Sequence, residues 1–461
     1  MTFRSLTLTS ALALVTAFPA AAEQSFNRIA SFATPLNSTG EAAAKPSSAE
    51  IITATEDGMR LIYSDSPLGV LGLIDIADPA APKPLGTVAI GGEPTTTVVV
   101  GNLAFAGVNT SESFTNPSGK LVTVDLDAQK VVAECDLGGQ PDSVAKAPDD
   151  SFLAIAIENE RDEDVNDGAL PQIPAGYLVK LPLKDGVVDC GGLQKIDLTG
   201  LAAEGGDDPE PEFVSVNAAG EIAVTLQENN AIVVIAADGT VAGHFSAGTV
   251  DLVGIDTKKD GKLDFTGQKD GVPREPDAVK WIDTDHFVTA NEGDWKGGSR
   301  GFTIWKKDGT VVFESGASLE HEMAALGHYP DKRNKKGVEI ESVDVAEFDG
   351  RKLMFVVSER ASLVAVYDLA DLAAPKLLQM LPSGISPEGL VAIPERGLLA
   401  TANEVDLRED GLAPAHVMLF ALSDAQPAYP TITSAGTEPL VGWAALSALT
   451  ADPAKPGHLF A

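Results

Sequence analysis

Basic residues are scarce in this sequence. Lys and Arg number 33 against 67 Asp and Glu, which leaves a formal charge of −34. A surface of that sign repels the phosphates of nucleic acid, which drops out as a partner. Cysteine is almost missing, with Cys135 and Cys190 alone. They form one disulfide or remain two inert thiols, and an exported chain permits the bond. Long apolar runs are confined to the N-terminus; no other stretch nears the roughly 20 residues of a helical membrane span. The usual catalytic signatures are missing too. Gly384-Ile385-Ser386-Pro387-Glu388-Gly389 has the wrong spacing for a nucleophile elbow. His321 and His328 are seven apart, so they do not share the helix face a zincin needs. No phosphate-binding loop or dinucleotide fingerprint occurs.

What is present begins with a leader. Arg4, the apolar stretch 6–18 and Ala20-Ala21-Ala22 before Glu23 read as a secretory signal peptide over 1–22. The expected location is therefore periplasmic or secreted.

Seven times the same two-part phrase then returns. An opening segment, usually Glu-Pro or Pro with an acid, leads into an apolar strand; after a turn, a second apolar strand runs into Asn or Glu. The phrases lie at 49–66, 93–109, 140–160, 209–230, 275–294, 339–360 and 386–406. Most are followed by a further strand–turn–strand unit, as in GFTIWKKDGTVVF (301–313). Four strands per repeat and seven repeats predict an all-β, seven-bladed β-propeller over 23–436. The unpartnered segment 26–33 is expected to join the last blade and close the ring; closure by 429–434 is the alternative. The tail, 437–461, looks like the first strand and turn of another blade, a possible start of a second domain.

The two inner strands of a blade are antiparallel, so the start of the first and the end of the second lie at one end. This gathers Glu50, Glu93, Asp142, Glu210, Glu212, Glu275, Asp277, Glu339, Glu341 and Glu388 from the starts. From the second-strand ends come Glu158, Glu228, Asn291, Glu292, Asp294, Glu359, Asn403 and Glu404, among others. The long loops 162–175, 198–208, 247–274, 293–300, 316–338 and 405–415 open on the same face, where function is expected.

Oxygen ligands of this kind suit Ca²⁺ or Mg²⁺. Glu158, Glu228, Asn291, Glu292, Asn403 and Glu404 are candidate ligands at the channel mouth. Asp162, Asp164 and Asn166 resemble the first half of a calcium loop, with the glycine one place late. The turn 256–264 is a poorer version. The recurring Asn also suits the turn after the second strand. Lys332, Arg333, Lys335 and Lys336 form a basic cluster on the acidic face, able to hold an anionic group such as phosphate or to pair with the acids.

The pieces FNRIASF (26–32), EPDAVKWIDTDHFVTANEGD (275–294), GFTIW (301–305) and ISPEGLVAIPERGLLATANEV (385–405) resemble the choice-of-anchor I family of secreted β-propellers. Members are often labelled alkaline-phosphatase-like and include a biomineralisation-associated cell-surface glycoprotein. The sequence departs from the family at 330–339, where PDKRNKKGVE stands in place of an Asp-rich stretch. WAALSALTADP (443–453) is similar to the opening of esterase-like phytase propellers. The expectation is an exported acidic propeller that binds divalent cations, with calcium foremost, and a partner or extracellular ligand on its loop-rich face. The alternative is a calcium-dependent phosphoesterase acting on a phosphorylated small molecule through a metal-activated water, with Glu292, Asp294, Glu359 and Glu404 as ligands or general bases.

Overall fold

Seven short apolar hairpins cannot each bury two faces alone, and they solve this by stacking in a ring. The computed structural model describes residues 24–330, 335–429 and 431–460. The segment 1–22, expected to be a signal peptide, lies outside them. Blade 1 runs from Ile52–Ala54 out to Lys83–Ala89, and blade 2 from Glu93–Val100 to Lys130–Asp136. Blade 3 runs from Pro141–Lys146 to an outer edge split into Val187–Val188 and Gln194–Ile196. Blades 4, 5 and 6 begin at Pro211–Val216, Val279–Trp281 and Ile340–Phe348. Blade 7 begins at Pro387–Ile393, and its outermost strand is the N-terminal Ser25–Ala33. That strand pairs antiparallel with His416–Ser423, from Ser25 opposite Ser423 to Ala33 opposite His416. The expected closure by 26–33 is the one observed.

Burial follows position in the blade. The middle strands Phe152–Ile157 (FLAIAI) and Ala231–Ile235 (AIVVI) are buried at every residue, because neighbouring blades cover both faces. The outer strand Lys130–Asp136 exposes most of its residues. The core is thus not one mass but a series of slabs between successive blades. Ile62, Leu71, Val99 and Ala106 fill the slab between blades 1 and 2. Phe26, Phe348, Phe355, Leu399 and Phe420 fill the one between blades 6 and 7. Tyr63, Ile74, Ala400 and Leu419 join blade 7 back to blade 1.

Cys135 and Cys190 are bonded, with Cα atoms 5.6 Å apart. The bond ties the edge of blade 2 to that of blade 3. Cys135 lies on the outer strand Lys130–Asp136, whereas Cys190 is not on a strand. It lies in the tight turn Cys190–Gly192 that interrupts the outer edge of blade 3.

Two of the expected loops are ordered elements. Within 247–274 a hairpin forms, Thr249–Ile255 against Gly267–Pro273, burying Val250, Leu252, Ile255 and Val272. Within 316–338 lies a helix, Ser318–Ala325, whose Leu319, Met323 and Ala324 join the slab between blades 5 and 6. The tail packs on the propeller near this helix. Trp443 donates its indole N–H to the Ala325 carbonyl at 2.9 Å, and a short hairpin, Thr450–Ala451 with Leu459–Phe460, follows.

Candidate functional site: the acidic channel mouth

The inner hairpins deliver their acids by one repeated device. The residue after the second strand donates its backbone N–H to the carbonyl of the residue that opens the first. Glu158 does so to Gln140 at 3.0 Å, Glu359 to Glu339 at 3.0 Å, and Glu404 to Ser386 at 3.0 Å. The opening residues Glu275, Glu339 and Ser386 take φ of 43°, 47° and 51°. That left-handed kink costs a side-chain-bearing residue about 1–3 kcal/mol. Two residues on stand Asp277, Glu341 and Glu388, which line the channel.

The cavity at the mouth has a volume of about 160 Å³, and Asp142, Glu212, Asp277, Glu292, Glu341 and Glu388 surround it. Two trios bring carboxylate oxygens within 4.8 Å of one another: Asp142, Glu158 and Glu212, and Asp277, Glu292 and Glu341. Each trio joins a strand-start acid and a strand-end acid of one blade to a strand-start acid of the next. Burial, then the facing carboxylates, push Glu158, Glu212, Asp277, Glu341 and Glu388 well above the ordinary range. Asp142 is pushed up to about 7 for the same reasons.

Among the described residues three basic side chains pair with acids around the mouth. Arg161, 4 % exposed, places Nη1 2.7 Å from Glu228 and 3.3 Å from Glu210, and its Nη2 pairs with Asp294. Its Nε donates to the Gly168 carbonyl at 2.9 Å. Lys336 Nζ lies 3.0 Å from Glu292 and 3.1 Å from Asp294. Arg360 reaches Glu359 and Glu339, both at 2.5 Å. Burial raises the Glu292 carboxyl, opposed by Lys336 and by the Gln227 amide. Burial also acts on Asp294, but Lys336 and Arg161 outweigh it and hold this carboxyl below its ordinary value. Glu359 is pushed up to about 9 by burial, which Arg360 only partly offsets. Glu228 is pushed up to about 7 by burial, again against its arginine.

The residues singled out in the sequence separate into groups. Glu158 and Glu228 stand at blades 3 and 4; Glu292 and Asp294 meet under Lys336. Glu359 and Glu404 act electrostatically on Glu388, as does Glu50. Asn291 and Asn403 are fully buried and committed to the blade. The Asn291 carbonyl accepts from the Thr289 hydroxyl at 2.8 Å and its amide donates to Thr303 at 2.8 Å. Asn403 accepts from Ser383 at 2.8 Å and donates to the His416 carbonyl at 2.9 Å. Asn159 and Asn229 show why Asn recurs: each accepts, at 2.9 Å, the backbone N–H of the opening segment of its own blade. Asp162, Asp164 and Asn166 lie in an outward turn, where Asp162 Oδ1 accepts the Asp164 N–H at 2.9 Å. Neither trio includes Asp162 or Asp164. Lys332 and Arg333 fall outside the described residues. Lys335 and Lys336 border a concavity of about 470 Å³ with Arg161, Lys269, Trp295 and Lys296.

Arg161 and Gln227 were not singled out from the sequence. The available signal was the Glu-Arg pair at 160–161, which recurs at 359–360, two places nearer to the end of the second strand in blade 6.

Among solved structures the chain is similar to the RRP9 WD40 repeats, at TM-score 0.56 and 9 % identity over 82 % of this chain and 95 % of that one. Virginiamycin B lyase from Staphylococcus aureus gives 0.53 and 9 %, over 87 % of this chain and 100 % of that one. Streptogramin B lyase gives 0.52 and 10 %, over 88 % and 100 %. At such identities the likeness is one of fold alone. No curated protein matches in sequence. Two stretches, residues 192–297 and 295–372, carry blade 4, blade 5 and the first three strands of blade 6, and these match the choice-of-anchor I domain.

Proposed function

We propose that this is an exported propeller whose acidic channel mouth binds a divalent cation, with calcium as the best fit. One observation carries the reading. Six carboxylates surround a cavity of about 160 Å³, and most are held far above their ordinary protonation range by burial and by one another. Such a gathering is relieved by protons or by a cation, and hard oxygen donors select a hard cation. Carboxylate oxygens up to 4.8 Å apart suit an ion with ligands at about 2.3–2.6 Å. The disulfide supports an oxidising compartment. Among the described residues no helix is long and apolar enough to cross a membrane.

A cation that binds only the native state adds RT ln(1 + [L]/Kd), about 2.7 kcal/mol at 100-fold Kd. The Tm of chelator-treated protein should therefore rise more in millimolar CaCl₂ than in NaCl of equal ionic strength. Equal shifts in the two salts would reduce the acids to a solvated surface and end the proposal.

The concavity around Arg161, Lys269, Lys296, Lys335 and Lys336 favours a second reading, a phosphoesterase in which these cations hold an anionic substrate beside the channel. Calcium-dependent turnover of an aryl phosphate, lost in Arg161→Gln, supports it; no turnover with or without calcium removes it.

A further inference from the structure

In the concavity of about 470 Å³ beside the channel mouth, the charge balance of the chain is reversed. Acids outnumber bases by 67 to 33 over the whole sequence. Among the described residues that line this hollow, five are basic and three acidic, the acids being Glu163, Asp167 and Asp294. The bases come from four separate stretches of chain. Arg161 follows the second strand of blade 3, Lys269 sits on the hairpin strand Gly267–Pro273, Lys296 lies in the loop 293–300, and Lys335-Lys336 precede blade 6. The volume is that of a small-ligand pocket, which spans about 300–1,000 Å³.

Three of these cations are spent on acids. Arg161 pairs with Glu228 and Glu210, Lys336 with Glu292 and Asp294, and Lys296 with Glu204. Lys335 is not: among the described residues no hydrogen bond or ion pair reaches its ammonium group. Its backbone is nevertheless held in place, because the fully buried Arg300 donates from Nη2 to the Lys335 carbonyl at 3.1 Å. Lys269 lines the same hollow. Burial and then Arg300, with Lys335 adding to them against Glu320, hold the Lys269 ammonium group below its ordinary value. Cations crowd one another here, and an anion relieves that crowding.

Trp295 makes the hollow more than an anion trap. Its half-buried indole forms part of the wall, with Lys296 Nζ 4.2 Å from the ring centre. Its N–H has no acceptor among the described residues. An indole offers a flat apolar platform and one donor. The acids Glu163 and Asp167 on the same lining would repel a bare anion, but they accept from hydroxyl groups. A ligand that answers all of these features carries a negative group, several hydroxyls and a ring with an aliphatic face.

We infer that the concavity binds an acidic sugar, a pyranose whose carboxylate or phosphate lies between Lys335 and Lys269 and whose ring packs on Trp295. This deepens the second reading above and rests on it for the place of the ligand alone. It needs neither calcium nor turnover.

The test is a titration of chelator-treated full-length protein with glucuronate and with glucose 6-phosphate, followed by ligand-observed NMR. About 0.1 M NaCl screens the long-range repulsion between these anions and the acidic body. The acidic sugars should bind at least about tenfold more tightly than glucose or inorganic phosphate. Lys335→Met should weaken them about tenfold or more, the loss expected of one charge-assisted hydrogen bond, and leave glucose unchanged. Trp295→Ala should weaken them and leave inorganic phosphate unchanged. Circular dichroism confirms folding of each variant. Binding of only one of the two acidic sugars supports the inference and identifies the anion. Equal affinity for glucose or for inorganic phosphate, an unchanged affinity in Lys335→Met, or no binding of either acidic sugar overturns it. Calcium-dependent turnover that survives Lys335→Met keeps the second reading without this inference, and binding without turnover keeps this inference without that chemistry.

Discussion

Arg161→Gln is the sharpest test of how the channel mouth is held together. The guanidinium is 4 % exposed and pairs with Glu228 (2 % exposed) at 2.7 Å, with Glu210 (0 %) at 3.3 Å, and with the more open Asp294. Two of its partners are thus as buried as it is, and the third contributes less through solvent. Removing one member of a buried pair costs about 3–5 kcal/mol, because the remaining charge is stranded. Asp294 counts for little in that figure, and protonation of Glu228 and Glu210 limits it from above. With a urea m of about 3 kcal/mol/M, the midpoint should fall by about 1–1.7 M. Arg161→Lys keeps the charge but loses the planar fork, and should fall between wild type and Gln. The assay is urea unfolding followed by tryptophan fluorescence in chelator. Calcium should then stabilise Arg161→Gln more than wild type, because Glu228 has lost its arginine. A Gln variant whose midpoint lies within about 0.3 M of wild type would refute the claim that Arg161 neutralises this cluster.

Three further outcomes follow from the same geometry. The Cys135–Cys190 bond closes a loop with a sequence separation of 55, so on loop-closure grounds Cys135→Ser with Cys190→Ser should cost about 4 kcal/mol, read by urea unfolding; thiol titration of the denatured, unreduced wild type should find none free. Burial and the neighbouring acids raise the Glu388 carboxyl in the folded state above its unfolded value of 4.5, so its favourable contribution is whole below that pH and is lost as pH rises through the folded value. Glu388→Gln should accordingly raise the Tm of calcium-free protein at about pH 8 and not at about pH 4; the reverse pattern would contradict it. Arg300 and Glu320, both fully buried and 2.9 Å apart, pin the blade 5 loops to the helix, and Glu320→Leu alone should cost about 3–5 kcal/mol, measured by urea unfolding.

The ring was legible because every repeat writes its inner hairpin in the same way. A fully buried strand such as FLAIAI reads as an apolar run, and an acid closes it at a fixed place. The helix Ser318–Ala325 was not legible. Its first turn has no side-chain cap, and Leu319 and Met323 form too short an apolar stripe to stand out in an otherwise polar loop. The acids of the mouth could be named from the repeat, but not which three would meet. Glu212 joins Asp142 and Glu158 through the curvature between blades 3 and 4, which no local pattern encodes. The pairing of Arg161 with Asp294, 133 residues apart, is of the same kind. Asn291 and Asn403 looked like ligands because strand ends favour side-chain oxygens; the blade uses those same oxygens to fasten itself.

The strand Ser25–Ala33 carries a consequence for how the protein comes to exist. Ser25 Oγ bonds the carbonyl of Ala425, a contact 400 residues long. Joining such distant ends costs roughly 5 kcal/mol in chain entropy, against about 2 for a ten-residue hairpin. The last blade is therefore finished by residues that leave the ribosome ahead of every inner strand, and only after residue 423 has followed. Until then His416–Ser423 presents an unpaired edge, a template for pairing with another chain. Residues 24–33 thus act as a molecular zip for the whole ring. Their early loss to a protease would yield aggregation rather than a slightly weaker monomer.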